Sequence, residues 1–124
     1  MIDQGELGTL FSGLRAAVTV ADEDGCIVFL NDRAIAHYGD RGGEELVGRS
    51  LYDCHSPSSQ AKIQELYALY DAGDLSPIRY HEDRGNGTAG IIVLIPIVVA
   101  GHFRGIAELM WVENRDLVRA IEVP

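Results

Sequence analysis

The sequence predicts an α+β domain: a five-stranded antiparallel sheet with short helices and one longer helix over one face, plus an N-terminal amphipathic helix. Three observations carry this. Two apolar strand-like runs flank the turn Asp22-Glu23-Asp24-Gly25. Three more strand-like runs follow one another between Pro77 and Val112, joined by tight turns. Between the two groups lie capped segments whose apolar residues keep helical spacing. Hairpins make an antiparallel sheet, and the intervening helices must then fold over one of its faces.

Leu7, Leu10, Phe11 and Leu14 fall at i, i+3, i+4 and i+7, one face of a helix. Gly5, Gly8 and Gly13 lower its intrinsic propensity, so it must lean on packing. The stripe covers the core or forms a dimer contact, since terminal helices dock either way. In "AAVTVADEDGCIVFLN", Val18 and Val20 alternate with Thr19, and Ile27 to Leu30 form the return strand. The acidic turn lacks the further ligands and the closing Glu of a calcium loop, so it reads as solvated.

Asn31 can cap a short helix carrying Ala34, Ile35 and Tyr38, stopped by Gly39. "GGEELVGRS" gives another short turn closed by Gly48. Ser56 supplies a capping hydroxyl, and Pro57 stands where no amide proton is needed. Ile63, Leu66, Tyr67 and Tyr70 continue that helix at one-face spacing, and Gly73 ends it. Pro77 to Glu82 is the third strand, turned by Asn86-Gly87. "TAGIIVLIPIVVA" is apolar on both faces, so both are expected to be covered. Pro96 calls for a bulge or an unpaired position there. "GH" turns the chain into "FRGIAELMWV", and Asn114 caps a tail helix with Leu117, Val118 and Ile121. The expected divisions are a helix over 1–13, a domain over 14–113 and a helical tail over 114–124.

A chain of 124 residues supports one real core. Its formal net charge of -9 opposes nucleic acid and anionic membrane as partners. The longest apolar run, Ile91 to Ala100, is far short of the roughly 20 residues of a membrane span. Cys26 and Cys54 make no disulfide framework and fit a reducing compartment. With no signal peptide at the start, a cytoplasmic location is expected.

The least generic stretch is "LYDCHSPSSQ". The positive end of the following helix lowers the pKa of a nearby thiol and disfavours imidazolium. Neighbours in an extended chain point to opposite sides, so Cys54 and His55 are not expected to act together as nucleophile and base. Packing or capping, contact with a pocket ligand, metal or haem ligation, and redox chemistry are the readings of this pair. The helix mouth, with Ser56, Ser58 and Ser59, suits a small carboxylate unless serine side chains or water satisfy its amides. Glu108 shares a face with Ile106, Met110 and Val112. An isolated charge is rarely buried, so it is assigned to an interface or the surface. His37, His81 and His102 lack metal-ligand spacing and read as surface residues.

The order of these pieces resembles a PAS domain, the small sensory module of signalling proteins, from about Leu14 to Val112. The carriers are "DEDG", then "NDRAIAHYG", "EELVGRSL" and "GHFRGIAELMWV", with Asn31, Ala34 and Glu44-Glu45-Leu46-Val47-Gly48 in the family's order. The resemblance implies a pocket between sheet and helices, and dimerisation through the outer sheet face, often with the N-terminal helix. The pocket residues expected are Phe29, Ile35, Tyr38, Cys54, His55, Ile63, Tyr67, Ile95 and Trp111. The expected dimer contacts are Leu7, Leu10, Phe11, Leu14 and Glu108. The adduct cysteine of light-sensing flavin PAS domains falls on Leu51, which disfavours that chemistry. The proximal histidine of haem PAS domains falls near Lys62, which disfavours that ligation and leaves His55 as the one haem-ligand candidate. The Cys-His-x-Pro run is also similar to a subset of PAS domains, some found beside haemerythrin-like domains. The implied function is a non-enzymatic sensory module that binds a small ligand, an anionic one if the helix mouth is used, and forms a homodimer. A ligand-free dimerisation module, a haem sensor using His55, and a small enzyme using Cys54 are the alternatives.

Overall fold

The structure, a computed structural model, describes residues 4–114. Helix α1 (Gln4–Ser12) leads into strands β1 (Ala17–Asp22) and β2 (Ile27–Leu30). Helix α2 (Asp32–His37) and three 3-10 turns (Gly39–Arg41, Gly43–Leu46, Leu51–Cys54) precede α3 (Pro57–Asp71). Strands β3 (Ile78–Asp83), β4 (Thr88–Val99) and β5 (His102–Asn114) complete the described chain. The expected tail helix at Leu117, Val118 and Ile121 lies outside the described residues.

The strands form one antiparallel sheet in the order β2-β1-β5-β4-β3. The five-stranded expectation is met. Alternation assigns the faces. Ala17, Ala21 and Ile106 point to the helix side and join the core with Ile27, Leu30, Ala34, Leu46, Leu51, Leu66, Tyr67 and Tyr70. Phe103 stacks between Tyr67 and Tyr70, with ring centroids 5.7 and 5.4 Å away.

Asn31 does more than cap α2. Its Oδ1 accepts from the Ala34 amide at 3.0 Å and the Val18 amide at 2.9 Å. Its Nδ2 donates to the carbonyls of Phe11 at 3.0 Å and Ala16 at 2.8 Å. One fully buried side chain thus ties the end of α1, β1 and α2 together. Phe11 adds an edge contact with Phe29, centroids 6.4 Å apart.

Two turn expectations shift in position. The β4–β5 hairpin turns at Ala100 and Gly101, both with positive φ, and His102 already belongs to β5. The bulge lies between Ile97 and Val98 rather than at Pro96, which keeps register with Ile106. Pairing with β3 ends at Leu94, so Pro96 sits where that edge of β4 is open and a missing N–H is tolerated. Ala100 holds φ 52°, a conformation that costs a side-chain-bearing residue about 1 kcal/mol. Ala100→Asn supplies the Asn-Gly pair such a turn prefers, so it is expected to stabilise the fold by about 0.5–1 kcal/mol in urea unfolding.

Candidate ligand cavity

A cavity of about 530 Å³ lies between α3 and the inner face of β3, β4 and β5. Strand alternation delivers its sheet wall: Ile78, Tyr80 and Glu82 from β3, Leu94 from β4, and Ile106 and Glu108 from β5. Thr19 and Ala21 of β1 and Leu51 are buried at its base. Helix α3 contributes Ser59, Ile63 and Leu66, with the exposed Lys62, Glu65 and Leu69 at the rim. His55 stands at the joint between the last 3-10 turn and α3.

The joint is held from several sides. Gln60 of α3 donates from Nε2 to the carbonyls of Tyr52 at 2.8 Å and His55 at 3.0 Å. Arg41 donates to the Cys54 carbonyl at 3.1 Å, with its guanidinium 5.7 Å from the Tyr38 ring centroid. His55 Nδ1 lies 2.7 Å from the Leu51 carbonyl oxygen. A carbonyl only accepts, so Nδ1 carries a proton, and in the neutral ring Nε2 is then the nitrogen with the lone pair. Cys54 Sγ lies 3.3 Å from the same carbonyl and 3.2 Å from His55 Nδ1. The expectation that the pair points apart is therefore corrected. Alternation holds for extended chain, whereas Cys54 closes a 3-10 turn and only His55, at φ -124° and ψ 150°, is extended.

This contact does not make a nucleophile. Burial first, then the negative Glu108, pushes the Cys54 thiol above its ordinary value, opposite to the helix-mouth expectation. Cys26, half-buried on β2's hairpin, is expected to react at least about tenfold faster with iodoacetamide at pH 8, since thiolate and access set the rate. Peptide mapping checks this, and equal rates would show Cys54 activated after all.

Ser56 caps the mouth of α3. Ser56 Oγ accepts from the Ser59 amide at 3.4 Å and lies 3.2 Å from the hydroxyls of Ser58 and Ser59. The Ser56 hydroxyl thus takes the Ser59 amide that a carboxylate would use.

Glu108 needs the larger correction. Assigned to an interface, it lies on the helix-covered face, paired across from Thr19 and Leu94, and lines the cavity. Buried Tyr38 donates to its Oε1 at 3.2 Å. Burial and the Glu108 carboxylate push the phenol well above its ordinary value. The Tyr38–Glu108 bond is the polar spine of the site, with Thr19 beside it in the cavity lining.

Of the expected pocket residues, His55 and Ile63 line the cavity. Cys54 and Tyr38 stand directly behind them. Ile35 packs against the core, and Tyr67 is buried away from the cavity, donating to the Asp22 carbonyl at 2.7 Å. Phe29, Ile95 and Trp111 are misplaced. Phe29 packs on Phe11. Ile95 is offset by one residue from cavity-lining Leu94, so it takes the opposite face and is 41% exposed. Trp111 alternates away from Met110 and donates to Glu113 on the outer face at 2.9 Å. Ser59, named with the helix mouth, also lines the cavity; the polar residues missed, Thr19, Lys62, Glu65, Tyr80 and Glu82, left one usable signal: the shared parity of Ile78, Tyr80 and Glu82 on a strand packed under helices. His37, His81 and His102 are exposed. Among the described residues, no group of His, Cys, Asp and Glu is arranged for a metal ion.

With this geometry the chain belongs to the PAS family: the family model of the PAS fold matches residues 5–71. Solved structures extend the likeness across the sheet. A C-terminal domain from Streptococcus mutans superposes with TM-score 0.71 at 19% identity, over 86% of this chain and 82% of that one. The PAS domain of BvgS from Bordetella pertussis gives TM-score 0.63 at 18% identity, over 85% and 82%. The sensor region of a sensor histidine kinase gives TM-score 0.57 at 26% identity, over 81% of this chain and 40% of that one. No curated protein matches the sequence. No helix among the described residues is long and apolar enough to cross a membrane.

Proposed function

We propose that this domain is a non-enzymatic sensory module that binds a small molecule between α3 and the sheet and pairs with a second copy through α1 and the outer sheet face. The observation that carries the reading is the cavity of about 530 Å³, of ligand size, lined by apolar and polar side chains in similar number. Its histidine is held in one tautomer by the backbone and faces the cavity from a braced joint. Sensor histidine kinases are among the proteins whose domains share the fold. Binding rather than catalysis fits a thiol held protonated beside a histidine nitrogen that is itself a donor. Pairing is supported by Leu7, Leu10, Phe11 and Leu14, all exposed, and by exposed Ile95 on the outer face.

His55 Nε2 has the right character for a metal ligand, its other nitrogen being oriented by a carbonyl. The lining as a whole does not fit a haem. Glu65, Glu82 and Glu108 would face the two propionates of the porphyrin, with Lys62 alone to offset them.

Native mass spectrometry of the purified protein tests both parts. A dimer is expected, each protomer carrying a small mass that is lost on denaturation. Leu94→Trp, which fills the cavity, is expected to remove that mass from a folded protein. An unchanged bound mass in this variant places the ligand elsewhere, and a monomer at micromolar concentration removes the pairing.

A further inference from the structure

We infer that the cavity selects a ligand with a cationic, hydrogen-bond-donating head, an ammonium or guanidinium group, on an apolar body. The inference rests on the ligand-binding reading above and reverses the anionic ligand expected from the helix mouth. Two groups from distant parts of the chain set the head's chemistry. His55 commits its Nδ1 proton to Leu51, so the neutral ring has only the Nε2 lone pair to offer the cavity. Glu108, on the opposite wall, offers carboxylate oxygens, and among the described residues the one donor it is given is the Tyr38 hydroxyl. Both are acceptors, so the donors must come from the ligand.

Charge points the same way. The lining holds Glu65, Glu82 and Glu108 against Lys62, and among the described residues none of the four is ion-paired. An anion entering there meets repulsion from exposed Glu65 and Glu82 and from half-buried Glu108, whose term is strengthened by partial shielding from water. An ammonium meets attraction at the rim from Glu65 and Glu82 and a half-buried partner in Glu108. The remaining wall, Ile63, Leu66, Ile78, Leu94 and Ile106, accepts the ligand's apolar body.

Three probes of one skeleton test it: 4-phenylbutylamine, 4-phenylbutanol and 4-phenylbutyrate, titrated into ¹⁵N-labelled protein and followed at the amides of Leu51, His55 and Glu108. The amine is expected to bind at least about tenfold more tightly than the acid, the worth of one charge-assisted hydrogen bond. Glu108→Gln keeps an oxygen for Tyr38 and should retain the dispersed spectrum. It is expected to remove most of the amine's advantage over the alcohol, leaving the part supplied by Glu65 and Glu82, while the alcohol stays within about twofold. An acid that equals or exceeds the amine, or an amine indifferent to Glu108→Gln, overturns the cationic assignment and leaves cavity binding standing. No saturable shift at these amides from any of the three overturns the ligand reading itself, and the assignment with it.

Discussion

Asn31→Asp is expected to destabilise the domain by about 3–5 kcal/mol, a large share of the roughly 5–15 kcal/mol by which such domains are stable. The capping oxygen survives this change, so Ala34 and Val18 keep their acceptor. The loss falls on the other end of the side chain. Nδ2 donates to the carbonyls of Phe11 and Ala16, and a carboxylate oxygen in its place faces two acceptors with no proton between them. The position is fully buried, so water cannot relieve the conflict without opening the seam between α1 and β1. Lowering the pH until the introduced carboxylate is protonated is expected to return part of the stability, because the neutral acid can donate once. Asn31→Ser retains a cap but no second donor pair, and is expected to fall between. Urea unfolding of the three proteins checks the order; a loss below about 1 kcal/mol for the aspartate variant would remove Asn31 from its central place.

Gly105→Ala is expected to prevent folding or to cost about 4 kcal/mol or more. Here β5 crosses close beside β1, and a Cβ at Gly105 would stand 2.1 Å from the carbonyl oxygen of Ala21 and 3.0 Å from the Asp22 Cα. Both are backbone atoms of a central strand pair, and neither can move without breaking the Ala21–Ile106 and Asp22–Gly105 register. The glycine also holds φ at +152°, which a side chain resists. Gly8→Ala is the matched control. A Cβ there has no neighbour within 4 Å, so the same substitution in α1 should raise helix propensity and leave the protein as stable or up to about 1 kcal/mol more so. Circular dichroism and thermal melting of the two variants separate a specific close approach from a general intolerance of added methyl groups.

The elements were legible where local chemistry and periodicity agreed. Asn31, Ser56 and Pro57 announced helix starts that the structure keeps. The hairpins followed from their Gly turns, though the last one moved to Ala100-Gly101, because a residue with positive φ need not be glycine. The cavity was only half legible. His55 and Ile63 could be placed from helix signals, but Ile95 and Trp111 required the strand register, where an error of one residue inverts the face. Glu108 showed the opposite failure. Its parity was read correctly with Ile106 and Met110, yet the rule that charges avoid interiors moved it outward. Tyr38, seventy positions away in sequence, makes the inner position tolerable, and no local pattern announces that bond. The Cys54–His55 contact was hidden for a related reason: a 3-10 turn of four residues leaves no periodicity to read.

The strand order has a consequence for how the chain acquires its shape. β1 lies near the start, yet its inner-sheet neighbour is β5, so Ala17 waits for Met110. Until that far segment is available, the β1–β2 ribbon has no sheet to join, and an isolated two-stranded hairpin is marginal in water. Closing so long a loop is entropically slow, and it places the rate-limiting step late. During synthesis the apolar residues of α3 have only the earlier part of their core, Ile27, Leu30, Leu46 and Leu51, until β5 adds Ile106 and Phe103. A nascent or truncated chain ending before β5 would present Ile63, Leu66 and Tyr70 to whatever binds exposed apolar chain, so the length completed on the ribosome, rather than any single early element, decides when this domain exists.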